Sequence, residues 1–276
     1  MQKKLLSQRH PFFYFCAVWI KRFRRYITWY TGRAAYAALQ SKDKLPFRVK
    51  KHQSVLVRKL SGADLQLQYN KIKNLSIAIK TIDGLLIRPG ETFSFYRRVG
   101  RPTKRKGYLL GMELSRGEAR SGIGGGLCQI ANLLHWLVIH SPLTVVERYH
   151  HGFDPFPDQG RVLPFGSGAT VFYNYRDYQF VNNTPHTFQI RLWLTDKLLE
   201  GELRIDEKLP YFYHVYEKEH QFLKQNGQFY RKNEIWRDKR DRQGRNLTLA
   251  TELVTQNFAL VKYIPETYLD LDDGGL

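Results

Sequence analysis

The residues best suited to chemistry lie in the glycine-rich segment 122–129, which reads GIGGGLCQ. Glycines in such a turn allow positive φ angles and a close approach of the backbone to a ligand. The apolar run that follows, up to Ile139, predicts a helix with Cys128 in its first turn. Free N–H groups and the helix dipole stabilise a thiolate there, and the thiolate is the reactive form of cysteine. Cys128 is therefore a candidate nucleophile, and burial as a packing residue is the alternative.

A cysteine nucleophile needs a base, which is usually a histidine. His150 and His151 follow on the next predicted element, and we take His151 as the base with His150 as the alternative. Papain-like and transglutaminase-like enzymes share this order of cysteine, histidine and an orienting carboxylate or amide, which is an analogy at the level of the fold. Candidates for that third group are Asn182, Asn183, Asp177 and Asp154.

Other residues near this segment are candidates for binding. Backbone N–H groups of the turn and of the helix start could stabilise an oxyanion. Glu147 and Arg148 are consecutive on a predicted strand, so their side chains point to opposite faces. We expect Arg148 either to anchor the glycine-rich turn or to bind a substrate carboxylate, with an exposed pair as the alternative. The candidate binding residues are Gly124, Gly125, Gly126, Gln129, Glu147, Arg148 and His150.

Composition limits the classes of partner. The 276 residues include 44 Lys+Arg and 25 Asp+Glu, which is a net charge of +19, and such a chain favours polyanions. Aromatic residues make up 14%, which excludes wholesale disorder. Two cysteines exclude a disulfide framework, and the Cys/His spacing matches no common zinc pattern, so no cofactor or metal is expected. No finger, basic zipper or RNA-binding signature is present, which makes nucleic acid an unfavoured partner.

The N-terminal region predicts an amphipathic helix. Phe12, Phe15, Cys16, Trp19, Phe23, Tyr26, Ile27 and Tyr30 recur at spacings of three and four, with Lys21, Arg24 and Arg25 opposite and Arg22 at the boundary. The apolar run 12–20 is too short to span a bilayer, and a basic cluster stands where a signal cleavage site would be. An aromatic face with a basic opposite face is typical of a helix at a membrane surface. A helix that packs this face on the domain is the alternative.

The order of predicted elements indicates an α+β protein. We expect a basic helical arm at 1–44 and a mixed core domain at 45–205 that contains the glycine-rich turn and the cysteine-bearing helix. An antiparallel strand-rich extension follows at 206–265. It begins with a hairpin at Asn226-Gly227, and a second strand pair joins 247–253 to 258–264. The acidic residues 266–276 are expected to form a flexible tail.

The motifs, taken in order, resemble the VanW family. The matching strings are PGETFSF at 89–95, GGGLCQ at 124–129, Glu147-Arg148 with His151, FGSGATV at 165–171 and FVNNT at 180–184. The match covers roughly 70–200, and the chain beyond it resembles the longer, vancomycin B-type form. Two positions depart from the family pattern, because Gly152 stands where many members have Ser, and Gly168 where many have Asp. If that Asp orients the base, then Asp154 or Asn182 must do so here.

The resemblance implies a bacterial cell-wall and antibiotic-resistance context without a defined activity. One hypothesis is an accessory protein that binds a peptidoglycan precursor, a wall peptide or an anionic membrane surface, the last through Phe12, Phe15, Trp19, Lys21, Arg22, Arg24 and Arg25. The alternative is a cysteine-dependent amide hydrolase or acyl transferase acting on wall peptides, so whether the protein is an enzyme stays open. A basic nucleic-acid-binding protein is the third reading. Without a cleavable signal or spanning run, we expect a cytoplasmic protein, and a peripheral position at the inner membrane face stays open.

Overall fold

The computed structural model describes residues 10–57, 65–115, 118–150, 152–154, 157, 162–244 and 247–272, and it confirms the α+β class. The α-helices are α1 (Pro11–Thr31), α2 (Leu65–Ile82), α3 (Phe95–Val99) and α4 (Cys128–Ile139), with one 3₁₀ turn at Lys104–Lys106. The strands are β1 (Ala35–Tyr36), β2 (Phe47–Val55), β3 (Leu86–Ile87), β4 (Glu91–Ser94), β5 (Leu110–Ser115), β6 (Glu118–Ile123), β7 (Thr144–Glu147), β8 (Phe153–Asp154), β9 (Gln179–Val181), β10 (Phe188–Leu194), β11 (Leu198–Ile205), β12 (Tyr211–Gln225), β13 (Gln228–Asp241), β14 (Thr248–Val261) and β15 (Leu269–Asp270).

These strands form four sheets. Their orders are β1-β4-β9-β7, β2-β11-β10-β3, β15-β12-β13-β14-β8 and the hairpin β5-β6. Helix α4 packs on β2 and β11, and helix α2 packs on β10 and on β5. Apolar side chains of these elements form one buried cluster, in which Phe93, Phe180 and Phe188 are fully enclosed. Nearly every residue of α4 from Ile130 to Ile139 is buried, so this helix is central to the core.

The N-terminal arm is joined to the core by a strand as well as by its helix. Helix α1 is confirmed, and the imidazole of His10 caps it by accepting from the N–H of Phe12. Strand β1 then pairs in parallel with β4, with Ala35 opposite Glu91. The arm predicted at 1–44 therefore contributes one strand to a sheet of the core.

The C-terminal part is a sheet of three long antiparallel strands. The hairpin turn at Asn226-Gly227 is confirmed, and both residues have the positive φ values (51° and 69°) that a type I′ turn requires. The predicted second strand pair is wrong. Residues 248–261 instead form the single strand β14, which pairs with β13. The pairing shifts register at two points, and the strand continues through both without a turn.

Residues 269–272, which belong to the segment expected to form a flexible tail, make defined contacts with the hairpin. Strand β15 pairs in parallel with β12, and Lys224 forms an ion pair with Asp270 at 2.5 Å. The carboxylate of Asp272 accepts hydrogen bonds from the N–H groups of Asn226 and Gly227. The carboxylate of Asp272 therefore binds backbone N–H groups of the hairpin turn. The acidic composition of the segment does not predict this contact.

Two histidines flank a tryptophan where α4 meets β2. The Trp136 ring lies 6.0 Å from that of His52 and 4.7 Å from that of His140. Burial, with the charge of Lys50, lowers the pKa of His52 to about 4 and that of His140 to about 3. Both imidazoles are therefore neutral in the folded protein over a range in which the unfolded chain protonates them.

We predict that the free energy of unfolding falls as the pH drops from about 6.5 towards 4, because the unfolded state then binds more protons than the folded state. Urea unfolding at several pH values in this range gives the free energy of unfolding as a function of pH. The slope of this dependence should be smaller for His140→Asn than for the wild type by about 1.4 kcal/mol per pH unit. Equal slopes for His140→Asn and the wild type would refute the assignment.

Candidate functional site

The glycine-rich turn is held by a buried asparagine. Asn74 of α2 is fully enclosed, and its amide donates to the carbonyls of Leu109 and Gly125, each at 3.0 Å, while its oxygen accepts from the N–H of Leu109. Gly125 lies directly against the backbone of Gly111, so a Cβ at either position would collide. Sequence reasoning missed Asn74, although a polar residue beside the apolar positions of α2 was an available signal.

Positive φ angles explain the other glycines of the turn. Gly124 has φ 81° and Gly126 has φ 96°. A side chain at Gly124 would meet Pro102, and one at Gly126 would meet the aliphatic part of Lys71. The space beside these glycines is therefore occupied by the protein's own residues, so the predicted close approach is made by the chain itself.

Cys128 begins α4, as predicted, but its surroundings do not favour the thiolate. The partly buried thiol lies 3.5 Å from the carbonyl oxygen of Val171 and donates to it. Burial raises the pKa of Cys128, the nearby charge of Glu113 raises it further, and Arg176 opposes this effect. The stabilisation that the helix start gives to the thiolate is smaller than the cost of removing the thiolate charge from water. Sequence reasoning did not single out Glu113 or Arg176.

Of the two candidate histidines, only His150 lies within the described residues. His151 lies outside the described residues, so the Cys128–His151 pair stays a prediction. His150 is exposed, and the preceding residue, Tyr149, accepts a hydrogen bond through its carbonyl from the N–H of Thr170 at 2.7 Å. Thr170 is next to Val171, so the segment that enters the histidine pair runs beside the segment that contacts the thiol.

The candidate orienting groups are used elsewhere in the fold. The buried Asn182 donates to the carbonyls of Ile87 and His186 and accepts from Thr184. The nearly enclosed Asp154 pairs with Arg231 at 3.0 Å. Both side chains bind groups of the strands around them, and these contacts favour structural roles for both.

Asn183 and Asp177 are likewise bound to their own neighbourhood. The amide of Asn183 donates to the hydroxyl of Thr144, and the carboxylate of Asp177 accepts from Ser94 and from the N–H of Tyr96.

Gln129 points away from the thiol to strand β2. Its amide donates to the hydroxyl of Ser54 at 2.9 Å and to the carbonyl of Val55 at 3.0 Å. Its buried oxygen has no hydrogen-bond partner among the described residues. Gln129 therefore attaches the start of α4 to the neighbouring sheet.

Gly168, one of the two departures from the family pattern, has a packing explanation. The side-chain oxygen of Asn132 fills the position that a Cβ at residue 168 would take, and it accepts from the N–H of Ala169 at 2.7 Å. A larger residue at position 168 would have to displace Asn132, which already satisfies a buried backbone donor.

Arg148 anchors a glycine loop, but a different one from the loop expected. Its guanidinium donates to the carbonyls of Gly166 and Gly168, and it is largely buried. The glycine-rich turn at 122–126 is instead held by Asn74. Burial lowers the pKa of Arg148, and we find no ion-pair partner for it among the described residues, so its charge is met by backbone carbonyl dipoles.

Glu147 is the centre of a buried polar network. Arg25 of α1 binds both of its carboxylate oxygens, and the N–H of Asp177 and the amide of Gln179 donate to it, each at 3.1 Å. Burial by itself lowers the pKa of Arg25, but the hydrogen bonds and charge of Glu147 raise it overall. Gln179 also donates to Asp177, so it links the two carboxylates.

Asp177 is the second acid of this network. Its side chain accepts from Ser94 at 2.5 Å, from the N–H of Tyr96 at 2.9 Å and from Gln179. Burial nevertheless raises its pKa, and the charge of Arg25 acts in the opposite direction. The charge of Arg25 thus offsets part of the cost of burying the neighbouring carboxylates of Glu147 and Asp177.

The side of α1 that faces the domain carries Arg22 and Arg25 together with the buried Val18 and Trp29, whereas Arg24 is exposed. Arg22 donates to the carbonyl of Tyr173, and the hydroxyls of Tyr26 and Tyr173 are in contact. The aromatic side points outward, where Phe12 is 61% exposed, Phe23 66% and Tyr30 77%. The exposed rings of Phe12, Phe23 and Tyr30 therefore do not pack on the domain, as the alternative expected, whereas Val18 and Trp29 of the same helix do. No helix in the described ranges is long and apolar enough to cross a membrane.

Possible metal ligands do not converge in the part of the chain that the structure describes, where no group of three or more His, Cys, Asp or Glu side chains could hold an ion. The fold and the site define an α+β protein with a glycine-rich turn that leads into a cysteine-bearing core helix. The model for the family described as VanW like protein matches residues 70–204.

Relatives support the same assignment. The vancomycin B-type resistance protein VanW of Enterococcus faecalis (strain ATCC 700802 / V583) is 33% identical over 234 residues, which cover 83% of this chain and 84% of that protein. The uncharacterized protein YoaR of Bacillus subtilis (strain 168) is 36% identical over 119 residues, covering 43% of this chain and 37% of that protein. No solved structure matches the chain. The chain belongs to the VanW family.

We predict that Arg25→Ala and Glu147→Gln each lower the free energy of unfolding by about 2 kcal/mol or more, since each leaves a buried charge without its partner. In a double-mutant cycle their effects should be non-additive by ~0.5–3 kcal/mol. Urea unfolding of the three variants measures this. Arg24→Ala, one residue away on the exposed side, is the control, and an equal loss in that variant would contradict the role of Arg25.

We also predict that Cys128 alkylates slowly at neutral pH. In a Cys16→Ser background, the iodoacetamide rate should increase about tenfold per pH unit and reach half its maximum above ~8.5, the ordinary thiol value. Glu113→Gln should shift this midpoint to lower pH, because a negative charge that disfavours the thiolate is gone. A midpoint below the ordinary value in the Cys16→Ser protein would instead support the nucleophile.

Proposed function

We propose that this VanW-family chain is an accessory binding protein of the bacterial envelope that attaches to an anionic lipid surface through α1. The single observation that carries the proposal is the orientation of this helix. Arg22 and Arg25 are used in contacts with the domain, and the side that carries Phe12, Phe15, Trp19 and Phe23 faces solvent. The association of a relative with vancomycin resistance, printed in its name, supports the envelope context.

The orientation of α1 is set by directional bonds. Arg25 grips both oxygens of Glu147, Arg22 binds a backbone carbonyl and Arg97 donates to the carbonyl of Trp29 near the helix end. Rotation of α1 to bury its aromatic side would break all of these contacts and leave the buried acids uncompensated. The outward aromatic face is therefore a stable feature of the fold.

The composition of the outward face suits a lipid interface. A shallow groove on this face is lined by Trp19, Ile20, Phe23, Arg24 and Ile27. Aromatic and aliphatic side chains partition into the headgroup boundary, while an arginine among them can pair with lipid phosphate. A contiguous apolar surface of this kind is uncommon on a protein that has no partner there.

Charge complementarity selects an anionic lipid as the occupant. The chain has no Asp or Glu before Asp43, whereas Lys21, Arg24 and Arg33 lie in or beside α1. Each basic residue near an anionic membrane surface contributes about 1 kcal/mol to attachment. A second copy of the protein would present the same positive charge and be repelled.

We predict that the protein co-sediments with vesicles of phosphatidylglycerol and phosphatidylcholine, and binds pure phosphatidylcholine vesicles at least about tenfold more weakly. The triple variant Phe12→Ser/Phe15→Ser/Phe23→Ser should bind the anionic vesicles more than about tenfold more weakly, because each ring removed lowers the apolar area that is buried in the lipid. Added salt should weaken binding of the wild type.

The matched control is Tyr69→Ser, an exposed aromatic residue on α2 that is 57% exposed. It should bind like the wild type. Equal binding by the triple variant and the wild type would overturn the proposal. A dimer in sedimentation velocity that the triple variant dissociates would instead assign this face to self-association.

A further inference from the structure

The long C-terminal sheet has two faces of opposite character. On the inner face Arg231, Asn233 and Ile235 of β13 are each at most 2% exposed. The alternate residues Tyr230, Lys232, Glu234 and Trp236 lie on the other side, which we call the outer face together with their strand neighbours Tyr216 and Phe258. Phe258 is 55% exposed. Aromatic and charged side chains are thus displayed on a flat surface.

Two ring platforms stand at the ends of the outer face. Tyr230 and Phe258 stack with their ring centroids 5.0 Å apart and an interplanar angle of 13°, so each ring covers part of one face of the other. At the other end Trp236 is paired across the strands with Tyr216, and the Nζ of Lys218 lies over both rings, 5.1 Å from the centroid of the first and 5.4 Å from that of the second. Trp236 lies six positions along β13 from Tyr230, which is roughly 20 Å.

The groups between the platforms are fixed hydrogen-bonding groups. The indole N–H of Trp236 donates to Glu234 at 2.7 Å, and the amide of Gln256 donates to the other carboxylate oxygen at 2.8 Å. These hydrogen bonds lower the pKa of Glu234, and Lys218 and Lys232 lower it further. A ring and a carboxylate that are already oriented lose little conformational entropy when a ligand binds.

This set of groups matches the chemistry of a sugar chain. The C–H face of a sugar ring stacks on an aromatic ring, sugar hydroxyls donate to a carboxylate, and lysines pair with anionic substituents. The two lysines outnumber Glu234, which favours an acidic glycan. A nucleic-acid strand carries a phosphate at every nucleotide and would place one beside the ionised Glu234, whereas a glycan charged on only some of its sugars can place hydroxyls there and anionic groups at the lysines.

We propose that the outer face binds an acidic glycan chain, with sugar rings stacked on Trp236 and on the Tyr230–Phe258 pair and anionic groups paired with Lys218 and Lys232. Because the platforms are about 20 Å apart, a chain of several sugars engages both, and the second contact is effectively intramolecular. The inference is independent of the lipid contact, since the outer face and α1 share no residue.

The test uses the full chain and two soluble probes in isothermal titration calorimetry, hyaluronan oligosaccharides as the acidic glycan and chitin oligosaccharides as the neutral one. We expect saturable binding of the acidic probe, tighter for longer oligomers, and at least about fivefold weaker binding of the neutral one. Trp236→Ala and Phe258→Ala should each weaken acidic-glycan binding more than about fivefold. The double variant Lys218→Gln/Lys232→Gln should bind the acidic oligosaccharides more weakly than the wild type does and should bind the neutral ones equally well.

Controls separate this proposal from loss of folding and from the lipid proposal. Each variant must keep the wild-type urea midpoint, and Trp236→Phe, which keeps a ring, should retain most of the affinity. Tyr69→Ser and the triple phenylalanine variant of α1 should bind the glycan normally. The proposal is overturned if neither probe binds at millimolar concentration, if Trp236→Ala binds like the wild type, or if a single-stranded oligothymidylate binds more tightly than hyaluronan.

Discussion

The bonds between Arg25 and Glu147 are the constraint on which the arrangement of the molecule depends. Glu147 and Asp177 are neighbouring acids in a mostly buried region, and Gln179 donates to both of them. Two acids in such a place need a nearby cation, because desolvation and mutual repulsion both disfavour their charged forms. Arg25 supplies it from a helix more than a hundred residues earlier in the chain. The N-terminal helix is therefore attached to the core by its charged side, and its aromatic side is left outside.

The C-terminal sheet repeats the same arrangement by other means. Its inner face buries the Arg231–Asp154 pair beside Asn233 and Asn257, whose amides donate to the carbonyl of Phe165. The amides of Asn233 and Asn257 thus bond to this backbone and link the sheet to the loop at Phe165, although the side-chain oxygen of Asn257 has no hydrogen-bond partner among the described residues. Arg237 adds a further link by donating to the carbonyls of Ile139 and Ser141 at the end of α4. Aromatic side chains that would be expected inside are displayed on the outer face. Two aromatic surfaces, one on a helix and one on a sheet, thus result from polar packing beneath them.

The glycine-rich turn has a structural explanation that does not require a ligand. Asn74 binds the turn to the strand that faces it, Gly125 permits contact with Gly111, and Gln129 attaches the helix start to β2. Cys128 lies inside this assembly with a raised pKa, so its ordinary state is the thiol. The strings that place the chain in the VanW family coincide with these contacts, which shows how a conspicuous motif can hold a fold together. Activation of the thiol would require a change in the balance between Glu113 and Arg176.

The sequence by itself determined the local elements and the family. Regular spacing of apolar residues indicates α1 and α4, Asn226-Gly227 specifies the hairpin because both residues tolerate positive φ, and the motif strings identify the VanW family. The tertiary structure decided which face of each element is buried. The partners of Arg25, Arg148 and Asn74 are distant in the chain, and periodicity shows that a helix has two faces without showing which one meets the core. That choice depends on long-range charge pairing and on satisfying buried polar groups, which emerge only when distant segments come together.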